Sequence, residues 1–170
     1  MHRLVIWTIL LGAMSLPQFA LAQQPDPEDK SATAFCNFAD DMQISVRYLP
    51  APVDKKARLP MGKVWTPGDA PMDLFTQTEV AVANVNIPVG AYRMYFIPGK
   101  DSWTMVINKN VAAGSAYDQQ QDLVRAPMET GKLSQPEPHV SIYFGHLAPK
   151  QCNMRIYFGD TGAWADFMEK

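Results

Sequence analysis

Between Thr33 and Phe158 the chain is a series of short strand-like runs, most of them cut by proline, glycine or aspartate before reaching helical length. In Met42–Leu49, Ile44, Val46 and Tyr48 alternate with Ser45 and Arg47, the period of a half-buried strand. With Thr33–Phe38 and the Ala39-Asp40-Asp41 break it predicts an opening hairpin. Further runs follow at Leu74–Ala83, Ala91–Ile97, Ser102–Asn108, Leu123–Glu129, His139–Phe144 and Asn153–Phe158. That spacing belongs to an all-β, antiparallel sandwich or barrel. Pro98-Gly99-Lys100-Asp101 marks the clearest hairpin, and only Gly114–Asp122 has room for a helical turn. Prolines 50, 52, 60, 67 and 71 make the stretch from Pro50 to Pro71 a long irregular connection, the kind of loop that often carries function.

The first residues have a different character. Met1-His2-Arg3 precedes an apolar run from Leu4 to Met14, and Ala20-Leu21-Ala22 supplies the small residues that a signal peptidase accepts. The run is about half the roughly 20 residues a spanning helix needs. Residues 1–22 therefore read as a cleaved signal peptide, and an uncleaved anchor is the lesser alternative. Gln23–Ala32 is polar and proline-broken and reads as a flexible leader. Residues 33–170 form one domain, exported to the periplasm or beyond the cell, with no membrane span after cleavage.

The whole chain carries a net charge of −2, and losing Arg3 makes the mature domain one unit more acidic. With Lys55-Lys56-Ala57-Arg58 as its densest basic run, it lacks the footprint of a nucleic-acid partner. Cys36 and Cys152 are the two cysteines, and an oxidising compartment makes a structural disulfide the expected outcome. A catalytic dithiol would place them close together, as in C-x-x-C.

An ordered set of motifs runs through the same region. It comprises Gly62-Lys63-Val64-Trp65 with Gly68, Ile87-Pro88-Val89-Gly90-Ala91-Tyr92, Ile97-Pro98-Gly99, Trp103-Thr104-Met105-Val106-Ile107-Asn108-Lys109, Tyr117-Asp118, Asp122 and Arg125-Ala126-Pro127-Met128. In order and spacing it resembles the bacterial domain-of-unknown-function 2911 family over roughly residues 33–158. The resemblance implies an exported β-sandwich, matches a cysteine pair found in some members, and supplies no reaction. One motif departs. Where the family typically has Arg after the tryptophan and Ala-Asn-Glu-Ala-Thr after the glycine, this chain reads Thr66-Pro67-Gly68-Asp69-Ala70-Pro71-Met72-Asp73. A polar site built on that motif would have lost its Arg, Asn, Glu and Thr here.

Chemistry-bearing residues are sparse. His139 and His146 are separated by an odd number of residues, which on a continuous strand sends them to opposite faces, and no zinc spacing is present. Met61, Met72 and Met128 each follow a proline and could bind soft copper(I), although methionine is more often a core filler. Ser115 lacks the G-x-S-x-G frame. Asp69 and Asp73 could form a carboxylate pair for hydrolysis, although loop aspartates more often cap turns. Tyr92 and Tyr95 differ in parity, so one faces inward and the other outward. Trp65, Trp103 and Trp164 could stack on a sugar or anchor the core. Asn108, Lys109 and Arg125 stand at strand ends, and Arg125 could pair with Asp118 or Asp122.

These residues favour a β-sandwich that acts as a ligand-binding or interaction module of the bacterial envelope. Its partner would be a small molecule, a glycan or an envelope protein, and no cofactor or metal motif is read. Trp65, Asp69, Asp73, Asn108, Lys109 and Arg125 are the candidate ligand residues. The alternatives are an extracytoplasmic hydrolase using loop carboxylates, or a purely structural envelope protein.

Overall fold

The computed structural model describes residues 30–54 and 56–170, so the signal segment and the leader up to residue 29 lie outside the described residues. Nine strands follow: β1 (Ala32–Asn37), β2 (Gln43–Tyr48), β3 (Asp73–Thr76), β4 (Val80–Val82), β5 (Val85–Ile87), β6 (Gly90–Ile97), β7 (Trp103–Asn108), β8 (Asp122–Ala148) and β9 (Gln151–Glu169). Their hydrogen-bonded order is β1-β2-β3-β6-β7-β8-β9-β4-β5, antiparallel throughout. The domain is all-β and belongs to the sandwich class, and its only helical pieces among the described residues are the 3-10 turns Pro67–Asp69 and Gln119–Gln121.

The period-two pattern does what it dictates. Ile44, Val46, Leu74, Met94, Phe96, Met105 and Ile107 in the first sheet share one buried cluster with Val80, Ile87, Ile142, Met154, Ile156 and Phe167 in the second. Tyr92 is buried and Tyr95 is half-exposed, as their parity requires.

Strand β8 belongs to both sheets. Its first residues, Asp122–Met128, pair with β7, and from Glu129 onward it pairs with β9. The sequence reading splits this segment into the runs Leu123–Glu129 and His139–Phe144, whereas the structure keeps it one extended strand that bends around Pro136 and Pro138. Register shifts fall between Lys132 and Glu137 and between Glu137 and Ser141. Two prolines that cannot donate to a ladder make a bend rather than an end, because their fixed φ still suits extended chain. On β9 the slip falls near Gly159, at φ 58° and opposite Glu137. Before it the even residues Cys152, Met154 and Ile156 are buried, and after it the odd residues Ala163, Ala165 and Phe167. From Lys132↔Thr161 to Ser141↔Tyr157 strand β8 uses five residues more than β9, and this odd slip exchanges the core-facing parity of β9 around the bend.

Two other boundaries differ from the sequence reading. The run Leu74–Ala83 is two strands, β3 and β4. Strand β5 returns from β4 through Ala83 and Asn84, both at positive φ (48° and 64°), the geometry of a two-residue hairpin turn. Ala at that place hides the turn from sequence. The final strand runs on past Phe158 to Glu169.

The proline-rich connection is a strap rather than a free loop. Val53 N–H donates to the Pro138 carbonyl and Val140 N–H to the Ala51 carbonyl, each at 2.8 Å, at the bend of β8. Farther on, Trp65 and Phe96 exchange both backbone hydrogen bonds at 2.8 Å.

The buried Cys36–Cys152 disulfide joins β1 to β9, with Cα atoms 6.3 Å apart and a sequence separation of 116. Closing so long a loop restricts the unfolded chain strongly. Urea unfolding of a C36A/C152A variant should show a stability about 2–5 kcal/mol below the oxidised protein; equal midpoints would mean that the bond constrains nothing the sheets do not already fix.

Candidate functional site

Two places gather polar and aromatic side chains, and they differ in whether anything is left for a ligand. The first lies where β7 ends and β8 begins. The buried Asn108 donates through Nδ2 to Asp122 Oδ1 (2.7 Å) and to the Asp118 carbonyl (2.8 Å), while its Oδ1 accepts from Asn110 N–H (2.9 Å). Asp122 Oδ2 accepts from Tyr117 Oη (2.7 Å) and Arg125 Nε (2.8 Å), and Arg125 Nη2 donates to Tyr117 Oη (2.6 Å). Burial first, then the hydrogen bond to Asp122, pushes the Tyr117 hydroxyl above its usual range, so it stays a donor. The Asp122 hydrogen bond likewise raises Arg125. Tyr95 stands edge-on to Tyr117 with centroids 4.8 Å apart. These groups satisfy one another and clamp the 109–121 loop onto the sheet. This is a closed network, and Arg125 closes it by pairing with Asp122.

The remaining sequence candidates are dispersed. Asp73 opens β3 with Oδ1 2.9 Å from Arg93 Nε, an ion pair whose N–H is poorly aligned for a hydrogen bond. Asp69 is exposed on the 3-10 turn at φ 53°. Lys109 is exposed, its backbone N–H bonded to the Gln121 carbonyl at 2.9 Å. Trp65 is wedged edge-on between Trp103 of β7 (6.1 Å) and Phe158 of β9 (5.0 Å), joining the two sheets. Met72 and Met128 are in the core and Met61 is exposed. His139 and His146 are both exposed. Among the described residues no three His, Cys, Asp or Glu side chains gather as a metal site would need.

The second place is a groove of about 720 Å³ formed where the β8–β9 hairpin curls. Its floor begins with glycine. Gly131 and Gly162 are directly opposed across the ladder. A Cβ on Gly131 would stand 2.8 Å from the Trp164 ring, and one on Gly162 would stand 2.9 Å from the Tyr157 ring. The missing side chains are what let the edges of both rings come so close to the strands. Trp164 Nε1 donates to Glu129 Oε2 (2.9 Å), which fixes the ring's orientation. Tyr143, half exposed, stands 5.5 Å from Tyr157 and lengthens the aromatic surface.

A polar rim surrounds the rings. Asn153 Nδ2 and Gln151 Nε2 hold the two oxygens of Asp166 at 2.7 and 2.9 Å, and Arg155 Nε donates to Asn153 Oδ1 at 2.7 Å. These bonds tie the start of β9 to its end. Glu129 and Asp166 balance Lys132 and Arg155 in the lining, so the groove carries no net charge.

The match to known families settles the wider grouping. A family model described as protein of unknown function (DUF2911) matches residues 30–166. The chain belongs to this DUF2911 family. No curated protein and no solved structure matches it. The motifs on which the DUF2911 resemblance rests supply Asn108, Tyr117, Asp118, Asp122 and Arg125, so these separated motifs meet in one clamp. Tyr143, Tyr157, Gly162 and Trp164 fall outside them, and sequence reading named only Trp164 of the four. The period-two pattern marks Tyr143 and Tyr157 as outward-facing, but the sequence reading ends its last strand at Phe158, before Gly162 and Trp164.

The clamp makes a stability prediction. Asp122→Asn places an amide opposite the Asn108 amide and removes the charge-assisted bonds to Arg125 and Tyr117. It should cost about 1–3 kcal/mol in thermal or urea unfolding, with the 109–121 amides losing hydrogen-exchange protection first; an unchanged midpoint would contradict the clamp.

Proposed function

We propose that this protein is an exported ligand-binding module of the cell envelope, and that its β8–β9 groove takes an uncharged carbohydrate. The observation that supports this is the pair of ring edges set against Gly131 and Gly162. A ring that stands with its edge on a strand free of side chains leaves a face toward the groove, and the apolar C–H face of a sugar matches such a surface. Sugar hydroxyls need donors and acceptors at the edge of the same surface, which Arg155 provides through its Nη groups and Glu129 and Asp166 provide through their remaining lone pairs. The balanced charge of the lining suits a neutral ligand better than a phosphate or a polyamine. The groove volume is that of a small-molecule site.

Two features speak for binding rather than turnover. Asp73 is committed to Arg93, and the clamp at Asp122 spends its polar groups on itself. Export rests on the N-terminal apolar run and the Ala20-Leu21-Ala22 site.

Isothermal titration of the mature, oxidised chain from Gln23 with cellobiose and with the N-acetylglucosamine disaccharide checks the proposal. At least one should bind, and Trp164→Ala should weaken it tenfold or more, about 1.4 kcal/mol, with the variant still folded by circular dichroism at the titration temperature. Binding unaffected by Trp164→Ala, or by contrast lost in Trp65→Ala alone, would place the site elsewhere.

A further inference from the structure

The glycines of the β8–β9 hairpin are not all covered. At Gly131 and Gly162 an added Cβ would run into the Trp164 and Tyr157 rings, whereas at Gly145 it would meet nothing nearer than Leu147 Cδ2 at 3.8 Å and Arg155 Nη2 at 3.9 Å. Those are ordinary van der Waals distances, so the strand carries a notch with room for one methyl group. Gly145 stands opposite Asn153 in the ladder, with the half-exposed Tyr143 and Leu147 on either side of it along β8. A glycine inside a strand gives up packing, and an open one often marks the close approach of a ligand.

The donor beside the notch is fixed in direction and left unused. Arg155 Nε donates to Oδ1 of the buried Asn153 (2.7 Å), and Asn153 Nδ2 donates in turn to Asp166 (2.7 Å), two residues from Trp164 and on the same strand face. Among the described residues Arg155 makes no ion pair, and its Nη atoms make no hydrogen bond. Leu147 and Arg155, the walls of the notch, line the same cavity as Tyr157 and Trp164.

Resting on the carbohydrate reading, we propose that the sugar is a 2-acetamido sugar such as N-acetylglucosamine. Its acetyl methyl enters the Gly145 notch against Leu147, and its carbonyl oxygen accepts from an Arg155 Nη group. Gly145 and Arg155 are then the residues that set specificity. The acetamido group brings one methyl and one neutral acceptor, the complement of an empty methyl-sized space beside an uncommitted donor. It adds no charge, which suits a lining where Glu129 and Asp166 balance Lys132 and Arg155. A sugar with a hydroxyl at the same carbon leaves the notch empty. An anionic group would satisfy Arg155 but leave the notch empty as well, and would bring its charge into a groove that already holds two carboxylates. A hydrogen bond from a charged donor and a buried methyl group together strengthen binding by roughly tenfold or more.

The test is isothermal titration with cellobiose and with the β1,4-linked N-acetylglucosamine disaccharide, which share a linkage and differ at C2. It uses the mature oxidised protein, Gly145→Ala, Arg155→Lys and Trp164→Ala. The N-acetylated disaccharide should bind the unaltered protein about tenfold more tightly or better. Gly145→Ala fills the notch with a methyl group of the protein's own. Its backbone lies outside the left-handed region and its Cβ meets no atom closer than 3.8 Å, so the variant folds. It should bring the ratio of the two affinities below about threefold. Arg155→Lys keeps the charge but loses the fixed Nη fork, and should lower the same ratio. Trp164→Ala should weaken both disaccharides and leave the ratio standing. Equal affinity for the two, with Trp164→Ala still weakening both, overturns the acetamido assignment and leaves the carbohydrate reading standing. So does an N-acetyl preference that neither Gly145→Ala nor Arg155→Lys reduces. Binding of neither disaccharide overturns both.

Discussion

A strand of 27 residues is about 90 Å long when straight, and a domain of this size is only roughly 35–40 Å across. Strand β8 therefore has to bend, and the manner of its bending sets the rest of the architecture. Pro136 and Pro138 cannot complete a ladder, Gly159 takes the left-handed conformation opposite them, and the hairpin turns at that point while both strands stay extended. One half of β8 thereby completes the first sheet and the other half, with β9, founds the second. Strand continuity does what a crossover loop does in other sandwiches. The strap from Leu49 to Val53 covers the bend and supplies partners to Val140 N–H and the Pro138 carbonyl, which an uncovered bend would leave to solvent.

The two sides of that hairpin have separate uses. Inward, its small and apolar residues face the core, and Phe158 meets Trp65, which in turn meets Trp103 across the sandwich. Outward, the curl brings the start and end of β9 close enough for Asn153 and Gln151 to hold Asp166. A glycine pair in a strand loses packing and gains flexibility, which weakens a sheet. Trp164 and Tyr157 restore cover at Gly131 and Gly162, and in doing so they form the groove floor. Stability and the candidate site share the same four residues.

Legibility in the sequence followed range. The opening hairpin, the β6–β7 hairpin and the Cys36–Cys152 staple are set by local alternation, by Pro98-Gly99 and by the cysteine count, and each stands as read. The continuity of β8 was not legible, because proline and glycine signal a break without saying whether the chain ends or bends. Strand β5 was hidden by an Ala83-Asn84 turn that carries no glycine. Arg125 with Asp122 was foreseeable from their spacing, and Trp65 was visible as an aromatic anchor or a ligand ring. The convergence of Asn108, Tyr117 and Asp122 was not, since it depends on a loop folding back across two strands. The groove was least accessible of all: Trp164 and Tyr157 come to line one face only through a register slip that no single-residue pattern announces.

The central claim is that ligand meets the outward face of Trp164 while the Trp65–Trp103 pair serves packing alone. The chain from Gln23 carries three tryptophans, Trp65, Trp103 and Trp164, so its indole N–H groups give three resolvable signals in a nitrogen-edited NMR spectrum. Titration with N-acetylglucosamine or glucose oligomers should shift the Trp164 signal progressively and leave Trp103 still. A titration that moves Trp65 alone, or that shows saturable binding with Trp164 unmoved, would contradict the account.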